Sequence, residues 1–254
     1  MTSSEPSESA ADTPLELPAA TVPDFTELDN PIWYALLTGH ASLALGGGLA
    51  RRYPAAIGPL SGIPSQSAAS YAALRGLAGP GGVVVLFLRE PPAPPAGWTL
   101  VLGGHVDQMV CLESPGSEPE YSNADRAIER LTASDVPAMI ELARLTEPGP
   151  FNERTIELGQ FFGIFGAGRL LAMAGQRMHF DRFVEVSAVC THPDARGRGY
   201  ARALTARAAD QVRKMGKIPI LHVFSHNRAA IRVYESLGFV RRRTFELAVL
   251  KNDG

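Results

Sequence analysis

The sequence predicts a mixed α/β (α+β) fold, a sheet with helices packed on its faces. Three observations lead there. From Ala124 onward, strand and helix patterns alternate cleanly. A β-branched run, Val184–Thr191, passes through a Gly-rich turn into an Ala/Arg helix. Fifteen of the 20 prolines fall in the first 120 residues, which cuts the first half into short elements.

The N-terminal elements are a helix at Pro31–Leu37, a helix at Ser65–Leu77, a buried strand at Gly82–Leu88, and strands at Trp98–Leu102 and His105–Cys111. Ser114–Asn123 is polar, carries turn residues and serves as the candidate linker. Ala127–Leu131 then reads as a short strand. Ser134 and an early proline, Pro137, start a helix that runs to Arg144. Glu147-Pro148-Gly149-Pro150 is a turn. Gln160–Phe165 and Arg169–Arg177 form a hairpin through Gly166-Ala167-Gly168. After the Val184–Thr191 strand come a helix at Tyr200–Met215 closed by Gly216, a strand at Ile218–Phe224, a helix at Asn227–Leu237 stopped by Gly238, and a last strand at Thr244–Lys251. The chain divides into an acidic, disordered tail (1–24), an N-terminal α/β region (25–120) and a C-terminal α/β domain (124–254).

Composition narrows the class. The chain has 254 residues, 45% of them hydrophobic, and no apolar run near the roughly 18 residues a membrane span needs. There is no basic, apolar leader of the secretory type. Cys111 and Cys190, outside any CxxC pair, fit a reducing cytoplasm and argue against a zinc site. The net charge of −2 conceals an asymmetry, because residues 1–30 hold seven acids and no Lys or Arg. Residues 192–243 carry twelve Lys/Arg against three acids. That suits one anionic ligand better than a nucleic-acid surface, although a solvated arginine-rich helix face has the same composition.

The chemistry-bearing segment is the strand ending Val189-Cys190-Thr191, then His192-Pro193-Asp194-Ala195, then Arg196-Gly197-Arg198-Gly199-Tyr200-Ala201. Glycines let the main chain turn sharply, and the N–H groups at the following helix start make a phosphate cradle. The segment lacks the third glycine of a dinucleotide fingerprint, and the chain has no GxxxxGK[ST], HExxH or GxSxG.

Arg196–Ala201 resembles the Q/R-x-x-G-x-G/A motif of the GNAT superfamily of acetyl-CoA-dependent N-acetyltransferases. Downstream, Asn227 through Phe239 is similar to that family's N-x-x-A-x-x-x-Y-x-x-x-G-F signature. The resemblance covers about residues 124–251. It implies a GNAT-like, mostly antiparallel sheet flanked by helices, with a smaller divergent N-terminal region readable as a degenerate half. It also implies acetyl-CoA (coenzyme A) as cosubstrate, no metal, and direct attack by an amine in a ternary complex. Cofactor-binding roles fall on Val189, Cys190 and Thr191 for the pantetheine arm, on Arg196, Gly197, Arg198, Gly199, Tyr200 and Ala201 for the pyrophosphate, and on Asn227, which also caps a helix. Cys190 itself reads as a small core residue rather than an acyl-carrying nucleophile.

Two residues carry the implied catalytic roles. Tyr234 matches the thiolate-protonating tyrosine. Strand alternation puts Glu185, Ser187, Val189 and Thr191 on one face, so Glu185 reads as a general base, as a carboxylate paired with a nearby arginine, or as a bystander to a water relay. Residues 147–151 fall where the family's acceptor loop lies. The acceptor is expected to be a small-molecule amine or amino acid in preference to a protein, as in glycine N-acyltransferase-like proteins. Neither nucleic acid nor membrane is an expected partner, and a homodimer is compatible. The alternative function is a catalytically inactive GNAT-fold module that binds CoA or a partner.

Overall fold

The computed structural model describes residues 24–112 and 128–254. The expected tail, apart from Asp24, and the Ser114–Asn123 linker lie outside the described residues.

In the N-terminal region α1 (Pro31–Leu37) keeps its expected bounds, with Pro31 at a position where a missing N–H costs nothing. A three-stranded antiparallel sheet follows, made of β1 (Leu45–Gly47), β2 (Ala50–Arg52) and β3 (Ser61–Gly62). It was not expected, because strands of two or three residues carry no alternation to read. Helix α2 (Ala68–Ala78) starts where Ser67 Oγ accepts the Ser70 N–H at 3.1 Å, three residues after the expected Ser65. Then come β4 (Val83–Leu88) and β5 (Trp98–Val110).

The remaining elements are β6 (Ile128–Leu131), α3 (Val136–Thr146), β7 (Phe161–Gly166), β8 (Arg169–His179), β9 (Phe183–Thr191), α4 (Tyr200–Lys214), β10 (Ile218–Phe224), α5 (Arg228–Glu235) and β11 (Val240–Asn252). Thr132 and Asp135 form a capping box ahead of α3, so the cap lies two residues before the expected Ser134. Asn227 Oδ1 accepts the Ala230 N–H at 3.1 Å and starts α5.

Eight strands make one sheet in the order β4-β11-β5-β10-β9-β8-β7-β6. Every neighbouring pair is antiparallel except β9 with β10. Where the sequence suggests two strands at 98–102 and 105–111, one thirteen-residue strand stands. The reason is β11, which pairs with β5 from Asn252↔Trp98 to Val240↔Val110 and carries Gly103 and Gly104 through as partners of Ala248 and Leu247. β5 thus lies between β10 and β11, and the N-terminal region shares a single sheet with residues 128–254.

The sheet buries both faces. On one, Leu204, Ala208, Ile231 and Tyr234 from α4 and α5 pack against Phe162, Ala174, Val186 and Leu221. On the other, Leu28, Ile32, Leu36 and Tyr53 cover Val106, Met178, Phe183, Ile220 and Phe245. At that face's far end, α3 sets Met139 and Leu142 on Leu131, Phe161 and Met173. Each large apolar side chain so buried contributes roughly 1.5–3 kcal/mol. These layers hold rigid the central strands β9 and β10, where the site lies.

Candidate functional site

β9 and β10 part company. Their parallel ladder runs only from Phe183–Glu185 to Ile218–Ile220, although β9 continues to Thr191 and β10 to Phe224. The opposite edge of β9 stays paired with β8 as far as Cys190↔Met173 and Thr191↔Ala172, with a register shift between Met173 and Gly175. Opposite that shift Ala188 sits at φ +52°, a left-handed conformation that costs a β-carbon residue on the order of 1–3 kcal/mol. The result is a bulge and, beyond it, a wedge in which the β10-facing edge of β9 has no ladder partner.

The bulge corrects one expectation. Ser187 and Ala188 line the same pocket, so alternation skips a beat there. Upstream, Glu185 lies on the face with Phe183. Downstream, Val189 packs on the α4–α5 side and Cys190 on the α3 side. Glu185 and Val189 therefore lie on opposite faces instead of sharing one.

At the mouth of the wedge the chain turns. His192 Nδ1 accepts the Asp194 N–H at 3.2 Å, and a 3-10 turn spans Pro193–Ala195. Gly197 and Gly199 take φ +77° and +78°, and Gly199 is the N-cap of α4. Both need glycine, and both face open space. Among the described residues, no backbone carbonyl accepts the N–H groups of residues 197–202. Arg196 and Arg198 are exposed beside them, with Arg198 Nη2 donating to Asp194 O at 3.1 Å. Unpaired N–H donors at the positive end of a helix, flanked by arginines, form an anion cradle.

Tyr234 projects from α5 toward the wedge. Its side chain is buried, its ring meets Phe239 edge-on at 6.2 Å, and burial, with the nearby Cys190 thiol, pushes its pKa up to about 12. Burial likewise raises Cys190 to about 11, so that thiol stays protonated at neutral pH and packs as a core side chain. Asn227 is exposed at the α5 cap.

Glu185 is fully buried. Its two oxygens meet Arg177 Nε at 2.7 Å and Arg177 Nη2 at 2.5 Å, and His222 Nδ1 lies 2.8 Å from Oε1. Burial alone would raise its pKa, but the Arg177 charge and the hydrogen bonds from Arg177 and His222 hold it down near 2. A carboxylate that weakly basic, with its oxygens already engaged, is not placed to strip a proton. Of the readings open from the sequence, the arginine-paired carboxylate is the one present.

The ion pair belongs to a longer row. Gln108 Nε2 lies 3.1 Å from His222 Nε2 and donates to Leu28 O at 3.1 Å. Arg242 Nη1 donates to Gln108 Oε1 at 2.9 Å, and Arg242 Nη2 meets Asp29 Oδ1 at 2.5 Å. Hydrogen bonds thus link β8, β9, β10, β5 and β11 in turn on one face of the sheet. Arg177, Gln108 and Arg242 were missed from the sequence. The available signal was a charged or ring-nitrogen side chain set between apolar neighbours, as Glu185 is in β9 and His222 in β10.

Arg177 also reaches a pocket. Pro148, Gly149, Pro150 and Phe151 line it together with Ser187 and Ala188. Glu147, at φ +48°, ends α3 and swings this loop over the bulge. The expected acceptor loop and the bulged strand therefore meet. Among the described residues, no group of three or more His, Cys, Asp or Glu is placed to hold a metal ion, and no helix is long and apolar enough to cross a membrane.

The chain is similar to known proteins. Residues 161–247 match the family described as FR47-like protein. Over 118 residues, 44% of this chain and 79% of the relative, the chain is 30% identical to the [ribosomal protein bS18]-alanine N-acetyltransferase of Escherichia coli K12. It is 40% identical over 75 residues to a mycothiol acetyltransferase of Thermomonospora curvata, a match spanning 29% of this chain but only 25% of that protein. A crystal structure of a GNAT-family protein from Novosphingobium aromaticivorans DSM 12444 superposes with a TM-score of 0.78 at 37% identity, covering 89% of this chain and 99% of that one.

Proposed function

The chain belongs to the GNAT family of acetyltransferases, and on that premise we propose that it transfers an acetyl group from acetyl-CoA to the primary amine of a small molecule or amino acid. The observation that carries this reading is the wedge between β9 and β10 with the Gly197–Gly199 turn at its mouth.

The residues present fit the donor. The unpaired N–H groups of residues 197–202 suit a pyrophosphate, with Arg196 and Arg198 adding charge. The open edge of β9 at Val189, Cys190 and Thr191 suits an amide-bearing arm laid down as an extra strand. When bound, acetyl-CoA supplies a thioester acetyl group. Val189 N–H, beyond the bulge, is the main-chain donor assigned to polarise a carbonyl oxygen. Tyr234 Oη holds a proton for the departing sulfur and, with a pKa near 12, keeps it throughout the neutral range. Glu185 acts through Arg177, and the amine loses its proton to solvent water at the pocket of residues 148–151.

The test is release of free thiol from acetyl-CoA with a panel of primary amines, alongside calorimetric binding of CoA. Amine-dependent thiol release supports transfer. CoA binding without release for any amine would instead favour a binding module, and absence of both would remove the reading.

A further inference from the structure

Arg177 enters the pocket of residues 148–151 from β8 with only part of its guanidinium engaged. Arginine carries five N–H donors in a fixed plane. Nε and Nη2 face Glu185 at 2.7 and 2.5 Å, while Nη1 has no acceptor among the described residues. The side chain is 14% exposed. The fork cannot swing, because Glu185 is tied to His222, His222 to Gln108, and Gln108 to Arg242. Phe87 closes another side, with its ring centre 6.0 Å from the guanidinium carbon. Nη1 is not sealed from solvent, so water satisfies it in the free protein, and a ligand oxygen that displaces this water meets a donor whose direction is already fixed.

We infer that Arg177 is an acceptor-specificity residue, whose Nη1 donates to an sp2 oxygen, a carboxylate or a carboxamide, carried by the acceptor close to its amine. Glu185 neutralises Arg177, so recognition rests on the direction of the hydrogen bond more than on net charge. Acceptors of either oxygen type are therefore favoured, and plain alkylamines are not. This deepens the transferase reading, since it takes the 148–151 pocket as the acceptor side.

The experiment uses the full chain and three sets of probes. They are glycine, alanine and phenylalanine; their carboxamides; and the matching plain amines methylamine, ethylamine and phenethylamine. Binding is followed by calorimetry with CoA present, and transfer by thiol release. The expected result is that at least one oxygen-bearing set surpasses its plain amines by about ten- to a hundredfold, the span of a hydrogen bond to a charged group. Comparison of acids with amides identifies the oxygen. In a paired Arg177→Gln/Glu185→Gln variant, which leaves no unmatched buried charge, the preference should fall within about threefold while CoA affinity is kept. Arg177→Lys, which keeps the charge but loses the fork, should lose the preference too. Equal use of plain amines, binding by none of the probes, or a preference that survives in the paired variant would overturn the inference. Lack of thiol release with intact, Arg177-dependent binding would count against transfer and not against Arg177.

Discussion

Gln108 of β5 faces His222 of β10 with their Nε2 atoms 3.1 Å apart, and this contact settles where the His222 proton lies. Arg242 donates to Gln108 Oε1, so the Gln108 amide nitrogen must be the end that meets the ring. An amide nitrogen only donates, so His222 Nε2 accepts. The proton is then on Nδ1, aimed at Glu185 Oε1. A neutral ring agrees with burial, which lowers the His222 pKa against the pull of Glu185. The N-terminal region thus fixes a tautomer in the centre of the sheet, and through it the pose of Arg177.

The cradle at the wedge makes the first prediction. CoA should bind in the micromolar range, and Gly199→Asp should weaken binding by more than about a hundredfold. Gly199 sits at φ +78°, which an L side chain takes at a cost of roughly 1–2 kcal/mol. The added carboxylate would also occupy the space where an anion meets the N–H groups of residues 197–202. Calorimetry on folded variant checks this, and unchanged affinity would refute the cradle.

Much of this site could be read from residues alone, because the turn from Arg196 to Ala201 and the α5 signature are local. Val184–Thr191 was legible as a strand for the same reason. Long-range pairing was not legible. Ala188 looks like any strand alanine until β8 and β10 pull β9 in different directions. Gln108 and His222 are 114 positions apart, and their meeting depends on β5 entering between β10 and β11. Nothing local in Trp98–Val110 announces a place among C-terminal strands. Even the run Arg241-Arg242-Arg243, which suggests a solvated surface, is a strand segment whose Arg242 turns inward to Asp29 and Gln108.

A second prediction concerns stability against pH. Burial drives His40 down to about 3 and His179 to about 4, aided in His40 by its stacked neighbour His179 and in His179 by Lys217. Both are neutral in the fold at pH values where an unfolded histidine, with a pKa near 6.5, is charged. The unfolded state therefore binds more protons below about pH 6.5, and stability should fall as pH drops from there towards about 4. Each histidine contributes a slope approaching about 1.4 kcal/mol per pH unit in that window. Urea unfolding from pH 7.5 to 5 should show the decline, and His40→Leu should reduce the slope. Stability flat down to pH 5 would contradict the neutral pair.

Glu185 makes the third prediction. Glu185→Gln leaves the Arg177 charge buried without its partner, and breaking such a pair costs about 3–5 kcal/mol. Adding Arg177→Gln should restore much of the melting temperature. The wild-type pair also has a pH signature of the opposite chemical type to the histidines. A carboxylate held near 2 stabilises the fold fully above the ordinary glutamate pKa, about 4.3, and loses that contribution as pH falls towards 2. Any loss of transfer rate in Glu185→Gln should be the same from pH 6.5 to 9, because no proton acceptor was removed. A deficit that shrinks with rising pH would restore Glu185 as the general base.

Tyr234 carries the final prediction, and its geometry separates packing from chemistry. The ring lies among Leu204, Ile231 and Phe239 under α5, an environment that phenylalanine fills equally well. Tyr234→Phe should therefore melt close to the wild type and bind CoA within about twofold, since the cradle at residues 196–201 is untouched. What the variant lacks is Oη and its proton. If that proton goes to the departing sulfur, kcat should fall by about ten- to a thousandfold, within and just below the usual range for loss of a positioned acid. Burial raises the phenol to about 12, so the wild type keeps its proton well beyond neutrality. The deficit should therefore stay constant up to about pH 9, with no approach of the variant to the wild type, because the reference phenol pKa near 10 is not reached. Steady-state thiol release across that range measures it directly. A variant with unchanged kcat would mean that water protonates the thiolate, and Tyr234 would then be a core residue only.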